Sequence, residues 1–197
     1  MDSSVAYLKG VLADGHVYER NDSLRIVVRQ NDKEWLKNVI SPILQNLTGK
    51  NPKILQTKDG IYTLWVYTNK KHLPNDVVET LLAPLESVDF EKEGDKLSFV
   101  KGFFEAEGSI YISKNKANDI RIIMYQKYPQ VLTRIRDFLR VYGIPGEIYG
   151  PYRNGKNTIY RLIIFHRKNS IKFLEIINPS PLLKYNAKID FISGKCT

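Results

Sequence analysis

Leu8-Lys9-Gly10-Val11-Leu12-Ala13-Asp14-Gly15 and Val100-Lys101-Gly102-Phe103-Phe104-Glu105-Ala106-Glu107-Gly108 are two versions of one stretch. Each is an apolar, helix-like run ending in alanine, a carboxylate and glycine. Strand-like sequence follows both copies (His16-Val17-Tyr18; Ser109-Ile110-Tyr111-Ile112). Gly10 and Ala13 lie three residues apart, Gly102 and Ala106 four, and both spacings put small residues on one side of a helix. Two such faces can pack backbone to backbone and bring the helix ends together. Asp14 and Glu107 then fall at helix C-termini, where the negative end of the macrodipole disfavours an acid by roughly 0.3–1 kcal/mol. Glycine at that position is ordinary capping; an acid before it is not. Two acids gathered at two negative helix ends repel unless a cation lies between them, and hard oxygen ligands suit Mg²⁺. Taken singly, Asp-Gly and Glu-Gly are turn residues. Their recurrence in matching context is what favours a site.

The duplication extends over nearly the whole chain. After a first helix over about residues 4–13, strands are expected at about 16–20 and 24–30. A helical run carrying Trp35, Leu36, Val39, Ile40, Ile43, Leu44 and Leu47 follows, kinked at Pro42. A hairpin of Lys53–Thr57 and Ile61–Thr68 turns about Lys58-Asp59-Gly60, and a helix from about Asn75 to Leu85 closes the first half. The second half repeats the order. Strands come at about 109–114 and 120–126, then a helix through Val131–Val141, a hairpin of 147–153 and 157–165, and a helix at 169–177. A last helix of about 183–193 has no counterpart. Each repeat reads αββαββα. The expected fold is α+β, a pseudo-twofold duplication in which two four-stranded antiparallel sheets form a saddle with the motif helices packed at the centre. The boundaries are 1–85 for the first repeat, 86–96 for an acidic linker, and 97–197 for the second repeat with its extra C-terminal helix.

Composition narrows the partner. The chain has 197 residues and a formal net charge of +9. Five acids, Glu86, Asp89, Glu91, Glu93 and Asp95, are concentrated in the linker, so the remaining surface is more basic than the average. An anionic partner is expected, nucleic acid first. No basic amphipathic helix points to a membrane surface, and no apolar run is long enough to span one. The lone Cys196 excludes an internal disulfide and fits a reducing compartment. The N-terminus has no charged and apolar regions of the signal-peptide kind, so the expected location is cytoplasmic, or organellar for a eukaryotic source. His16, His72 and His166 share no metal-ligand spacing. Neither a phosphate-binding glycine loop nor a nucleophile elbow is present.

Strand alternation supplies a binding face. Leu24, Ile26 and Val28 point one way and Arg25, Val27 and Arg29 the other; Ile120, Ile122 and Met124 likewise oppose Arg121, Ile123 and Tyr125. A sheet face of arginine and tyrosine suits a DNA major groove. Any one of these residues alone is an ordinary solvated strand position.

With the motifs in view, the sequence resembles the LAGLIDADG homing endonucleases, in the single-chain two-motif form of intron- or intein-encoded, archaeal-like enzymes. Gly102, Ala106, Glu107 and Gly108 match the family pattern. In the first copy Gly10 stands four residues before the acid rather than five. Helix 1 is therefore either a residue short or tightened at its end. Counting back five from Asp14 puts Lys9 at the glycine's place, where a lysine does not fit between packed helices.

The resemblance implies a monomeric, divalent-metal-dependent endonuclease that makes a double-strand break with short 3′ overhangs in a long, asymmetric double-stranded DNA target. Metal would be held by Asp14 and Glu107 with the carbonyls of Ala13 and Ala106. Mg²⁺ is the expected ion, with Mn²⁺ substituting and Ca²⁺ supporting binding without turnover. Gln30 and Gln126 match the family's glutamines that order water, and Lys184 matches a lysine near the scissile phosphate. Glu105, two residues back from Glu107, is expected outside the metal site. The implied DNA contacts are Tyr18, Arg20, Arg25, Arg29, Gln56, Lys58 and Thr63 in the first half. In the second they are Tyr111, Ser113, Asn115, Arg121, Arg153, Lys156 and Arg161. Arginines read guanine bidentately, whereas Lys58 and Lys156 at hairpin tips suit phosphates. Two other classes stay open: an RNA-binding intron maturase on the same fold, and a non-cleaving DNA-binding regulator.

Overall fold

The structure, a computed structural model, describes residues 2–113, 119–155 and 157–180. Asn115, Lys156, Lys184 and the expected helix at 183–193 lie outside the described residues. Helix α1 (Ser3–Val11) is started by Asp2, whose carboxylate accepts from the Ser4 N–H at 3.0 Å. Strands β1 (Gly15–Arg20) and β2 (Ser23–Gln30) follow. A continuous helical run then comprises α2 (Lys33–Trp35), a π turn (Leu36–Ile40) and α3 (Ser41–Thr48). The expected break at Pro42 takes the form of that π turn: the Ser41 N–H reaches back five residues to Leu36 O just before the proline, whose ring and missing N–H disturb a regular α ladder. Gly49 ends α3 in the left-handed conformation at φ 67°. Next come β3 (Lys53–Gln56), β4 (Tyr62–Asn69) and α4 (Asn75–Leu82).

The second motif lies in α5 (Glu93–Glu107), followed by β5 (Gly108–Ile112), β6 (Ile120–Gln126), α6 (Pro129–Val141), β7 (Glu147–Asn154), β8 (Asn157–Ile164) and α7 (Arg167–Ile177). The αββαββα order thus occurs twice. Strand orders are also the same, β1-β2-β4-β3 in one sheet and β5-β6-β8-β7 in the other, with every pairing antiparallel. The chain separates into two compact units, Met1–Ala106 and Glu107–Thr197. This division falls inside the second motif, so α5 up to Ala106 belongs with the first sheet.

In the first unit one sheet face is core. Leu24, Ile26, Val28, Leu64 and Val66 are buried along it, together with Val5, Leu8, Val11, Leu36, Ile40 and Leu44 from the helices. In the second, Ile110, Ile120, Ile122, Met124, Leu162 and Ile164 are buried with Leu132, Ile135, Leu139 and Phe173. Ser170 of α7 is wholly buried and donates its hydroxyl to Ile120 O at 3.1 Å. Among the described residues no helix is long and apolar enough to cross a membrane.

Candidate metal and nucleic-acid sites

The two motif helices meet inside the first unit through their glycines. A Cβ added at Gly10 would lie 2.6 Å from Phe103 N and also strike the Phe99 carbonyl. One added at Gly102 would lie 3.0 Å from Tyr7 C and 3.1 Å from Val11 N. Gly10 and Gly102 therefore let α1 and α5 touch backbone to backbone, as their sequence spacing predicts. Ala13 is not part of the helical face; it stands in a 3-10 turn, Leu12–Asp14, that ends the first motif.

That turn explains the shortened motif. From Gly102 to Glu107, five α-helical steps give a rise of about 7.5 Å and a rotation of about 500°. From Gly10 to Asp14, one α step and three 3-10 steps give about 7.5 Å and about 460°. Tightening thus recovers the full rise and most of the rotation, and Gly10 rather than Lys9 is the contact glycine. Lys9 faces away from that contact. Its ammonium donates to Leu81 O at 3.1 Å and Ala83 O at 2.5 Å, capping the C-terminus of α4. Burial pulls its pKa down to about 8, and Glu86 partly offsets this.

Glu105 is 1% exposed and accepts from the Tyr7 hydroxyl and, at 3.0 Å, from Trp35 Nε1. It ties α1, α2 and α5 together. Asp14 ends the 3-10 turn and is exposed; Glu107 ends α5 and is half-buried. Gln30, at the end of β2, donates Nε2 to Ala106 O at 3.0 Å, so it reaches the main chain of the second motif. Gln126 stands at the matching end of β6 but is buried, its Oε1 accepting from Lys127 N at 2.7 Å. Among the described residues no three His, Cys, Asp or Glu side chains cluster as a metal site. Each motif ends in a carboxylate beside main-chain carbonyls, oxygen donors of the kind a hard divalent ion takes.

Each sheet has a second face, opposite its core. On the first, the register sets Arg25 between Tyr18 and Tyr67, Val27 between His16 and Trp65, and Arg29 beside Thr63. Arg20 continues the Tyr18 row and is exposed. On the second, Arg121 pairs with Tyr111, and Tyr125 with Arg161, which is itself opposite Tyr149. Ser113 follows β5 and is half-buried. Two expected contacts are not brought to these faces. Gln56 pairs with Tyr62 in the row of Ile54 and Leu64, and its amide donates to Gly60 O at 3.4 Å. Arg153 is moved by a register shift between Tyr149 and Tyr152: Tyr152 comes opposite Ile159 on the arginine face and Arg153 goes to the other side, opposite Thr158. Lys58 is exposed in its hairpin turn, as expected.

Aromatic residues fill the gaps between the arginines. The Arg25 Cζ lies 5.4 Å from the Tyr67 ring centroid and 5.9 Å from that of Trp65. The Arg161 Cζ lies 4.5 Å from Tyr152 and 5.4 Å from Tyr125. Arg121 lies 5.5 Å from both Tyr111 and Phe165. Trp65, Tyr67, Tyr149 and Tyr152 escaped the sequence reading of the contacts, whereas Tyr125 is on the face that strand alternation predicts. Trp65 and Tyr67 were recoverable by the alternation that exposed Arg25, since they interleave with Leu64, Val66 and Thr68. Arg121 is held by Asp119, Nε to Oδ1 at 2.8 Å and Nη2 to Oδ2 at 2.7 Å, and this pairing raises its pKa. Arg29 and Asp59 approach to 3.6 Å with both side chains more than half exposed, a weak and solvent-screened pair.

The LAGLIDADG-like domain family model matches residues 95–178. Among known proteins the chain is similar to the homing endonuclease I-ApeI of Aeropyrum pernix, 26% identical over 170 residues, covering 80% of this chain and 73% of I-ApeI. Its fold is that of I-DmoI, solved in complex with DNA and Mn, at a TM-score of 0.65 and 21% identity over 90% of this chain and 97% of that one. The N-terminal LAGLIDADG domain of DUF199/WhiA also shares the fold, at 0.63 and 18% identity, covering 91% of this chain and 84% of that one.

Proposed function

We propose that the chain is a site-specific DNA endonuclease that hydrolyses both strands of a long, asymmetric duplex target as a monomer, leaving short 3′ overhangs. The observation that carries this reading is the backbone contact at Gly10 and Gly102 between two helices that each end in an acid. The 3-10 end of the first keeps Asp14 at the rise that Glu107 has in the second. Asp14 and Glu107, with the carbonyls of Ala13 and Ala106, would hold divalent ions, Mg²⁺ or Mn²⁺. When bound, such an ion supplies an activated water and neutralises charge on the phosphate. Gln30 fixes the Ala106 carbonyl from the side, so the main-chain donor is oriented before any ion arrives. The basic, tyrosine-rich sheet faces bind the duplex, with guanidinium groups toward base edges and lysines toward phosphates. I-DmoI has been observed with DNA and Mn and with DNA and Ca, which supports divalent-ion use in this fold.

The test is incubation with a plasmid library of candidate sites and Mg²⁺, alongside Asp14→Asn and Glu107→Gln. Each variant should stop cleavage while keeping target binding, and Ca²⁺ should leave the wild-type protein bound to intact target. Full cleavage by either variant would remove that acid from the site. Exposed Tyr18, Tyr67, Tyr111 and Tyr152 favour a second reading on the same faces, binding of unpaired RNA bases by stacking. Preferential competition by single-stranded RNA over duplex DNA would select it.

A further inference from the structure

The helical layers of the two units carry different charge. In the second unit α6 and α7 cover the core face of the sheet, with Leu132, Ile135, Leu139 and Phe173 buried, so their outer sides lie opposite the arginine and tyrosine face. These two helices hold six cations, Arg134, Arg136, Arg140, Arg167, Lys168 and Lys172, against two acids, Asp137 and Glu175. The matching helices of the first unit, the run at 33–48 and α4, hold two cations, Lys33 and Lys37, against three acids, Glu34, Asp76 and Glu79. Solvation of such a layer therefore does not by itself require the cationic excess. The cations also adjoin. Arg167, Lys168, Ile171, Lys172 and Glu175 line one shallow hollow along α7. Lys172 reaches the end of α6, its Nζ 3.3 Å from where a Cβ on Gly143 would stand. Lys168 and Lys172 are exposed and have no ion-pair partner among the described residues. Arg136 and Arg140 share Asp137, at 2.8 and 3.6 Å, so one acid faces two arginines.

The chemistry of this layer selects its partner. The cations are spread over two helices rather than converging on one point, which suits a polyanion and not a small phosphate compound. Among the described residues Val141 is the only large apolar side chain exposed on the two helices. With no exposed aromatic ring there is no platform for stacking unpaired bases, and one valine does not anchor a helix in a membrane. A duplex, with its bases inside and its phosphates outside, meets these terms. Resting on the duplex-DNA reading above, we propose that the outer side of α6 and α7 is a second, sequence-independent surface for duplex DNA, on the back of the unit whose sheet face holds the target. Lys168 and Lys172 each contact a phosphate, and Arg140 extends the positive surface over the end of α6. One protein then holds two duplex segments at once. It takes up a second segment before releasing the first, and so passes between DNA sites without returning to free solution.

The experiment forms the one-to-one complex of the full chain, with Ca²⁺, on a target duplex selected from a randomised library. A short duplex of unrelated sequence, carrying a second fluorescent label, is then added. Sedimentation at both labels should count one protein with two duplexes. Lys168→Gln combined with Lys172→Gln should weaken capture of the second duplex by roughly ten- to hundredfold and make its salt slope shallower by about 2, with target binding changed less than about twofold. Lys33→Gln combined with Lys37→Gln removes the same charge from the helices of the first unit and should leave capture as in the wild type. Unchanged capture in the first double variant, or equal loss in the second, overturns the proposal alone. So does an enriched target whose wild-type complex takes up no second duplex. Displacement of the captured duplex by hairpin RNA at lower concentration than by unlabelled duplex DNA gives the surface to RNA and overturns it as well. A library from which no duplex is enriched overturns it together with the duplex-DNA reading.

Discussion

At Gly10 a single hydrogen decides whether two helices can touch. A methyl group there meets Phe103 N and the Phe99 carbonyl, both main-chain atoms that cannot swing aside. Gly10→Ala should therefore destabilise by about 2–3 kcal/mol or more, beyond what its gain in helix propensity returns. A shift of the denaturant midpoint relative to the wild type measures it. Lys9, one residue earlier, gives a pH signature. Its folded pKa of about 8 lies below the ordinary lysine value of 10.5, so between these values the unfolded chain holds more protons than the folded one. The contribution of this group to stability thus rises with pH across that window. Below about pH 8 the ammonium is charged in both states and its burial is opposed. The melting temperature of the wild type relative to Lys9→Met should accordingly climb from about pH 7.5 to 9.5. A flat or falling difference would mean the lysine is not desolvated.

At the scale of elements, the two motif helices reach the same rise by different means, and this gives a length test. Inserting one alanine between Val11 and Leu12 restores five steps between glycine and acid, enough for a regular α-helix to Asp14. The inserted chain should fold and retain cleavage, with the 3-10 turn replaced by an α turn and visible as one more protected amide by hydrogen exchange. Inserting two residues rotates the acid by a further 100° or so and should abolish cleavage. The β7 strand shows the same sensitivity in a sheet. One extra residue between Tyr149 and Tyr152 reverses the side-chain alternation beyond it, so Tyr152 joins the Arg161 face and Arg153 leaves it.

Over the whole molecule, charge and duplication act together. A net charge of +9 is carried by two units with the same strand order, each with one face in the core and one lined by arginine and tyrosine. Binding to duplex DNA should therefore weaken steeply with salt, log K falling against log [salt] with a slope of about −0.9 per neutralised phosphate. Lys58→Ala should weaken all sequences alike and make that slope shallower by about 1, whereas Arg25→Lys should leave the slope nearly unchanged. Titrations at several salt concentrations separate the two; equal slopes for wild type and Lys58→Ala would remove this lysine from the phosphate contacts.

The repeat, the element order and the direction of Arg25 and Arg29 were legible in the sequence because they rest on local periodicity, of 3.6 residues in helices and two in strands. The contact role of Gly10 and Gly102 was legible too, since only glycine suits so close an approach and its spacing from the acid is a sequence fact. Four features were decided by the tertiary structure. The first motif ends in a 3-10 turn because its contact glycine must meet α5 while the chain is one residue short. Lys9 turns toward the open carbonyls of α4, whose position no spacing reveals. Asp119 takes the side-on edge of Arg121, and the shift in β7 exchanges Tyr152 for Arg153. Each depends on a partner or a pairing register outside the local sequence period, and such partners are chosen by packing in space.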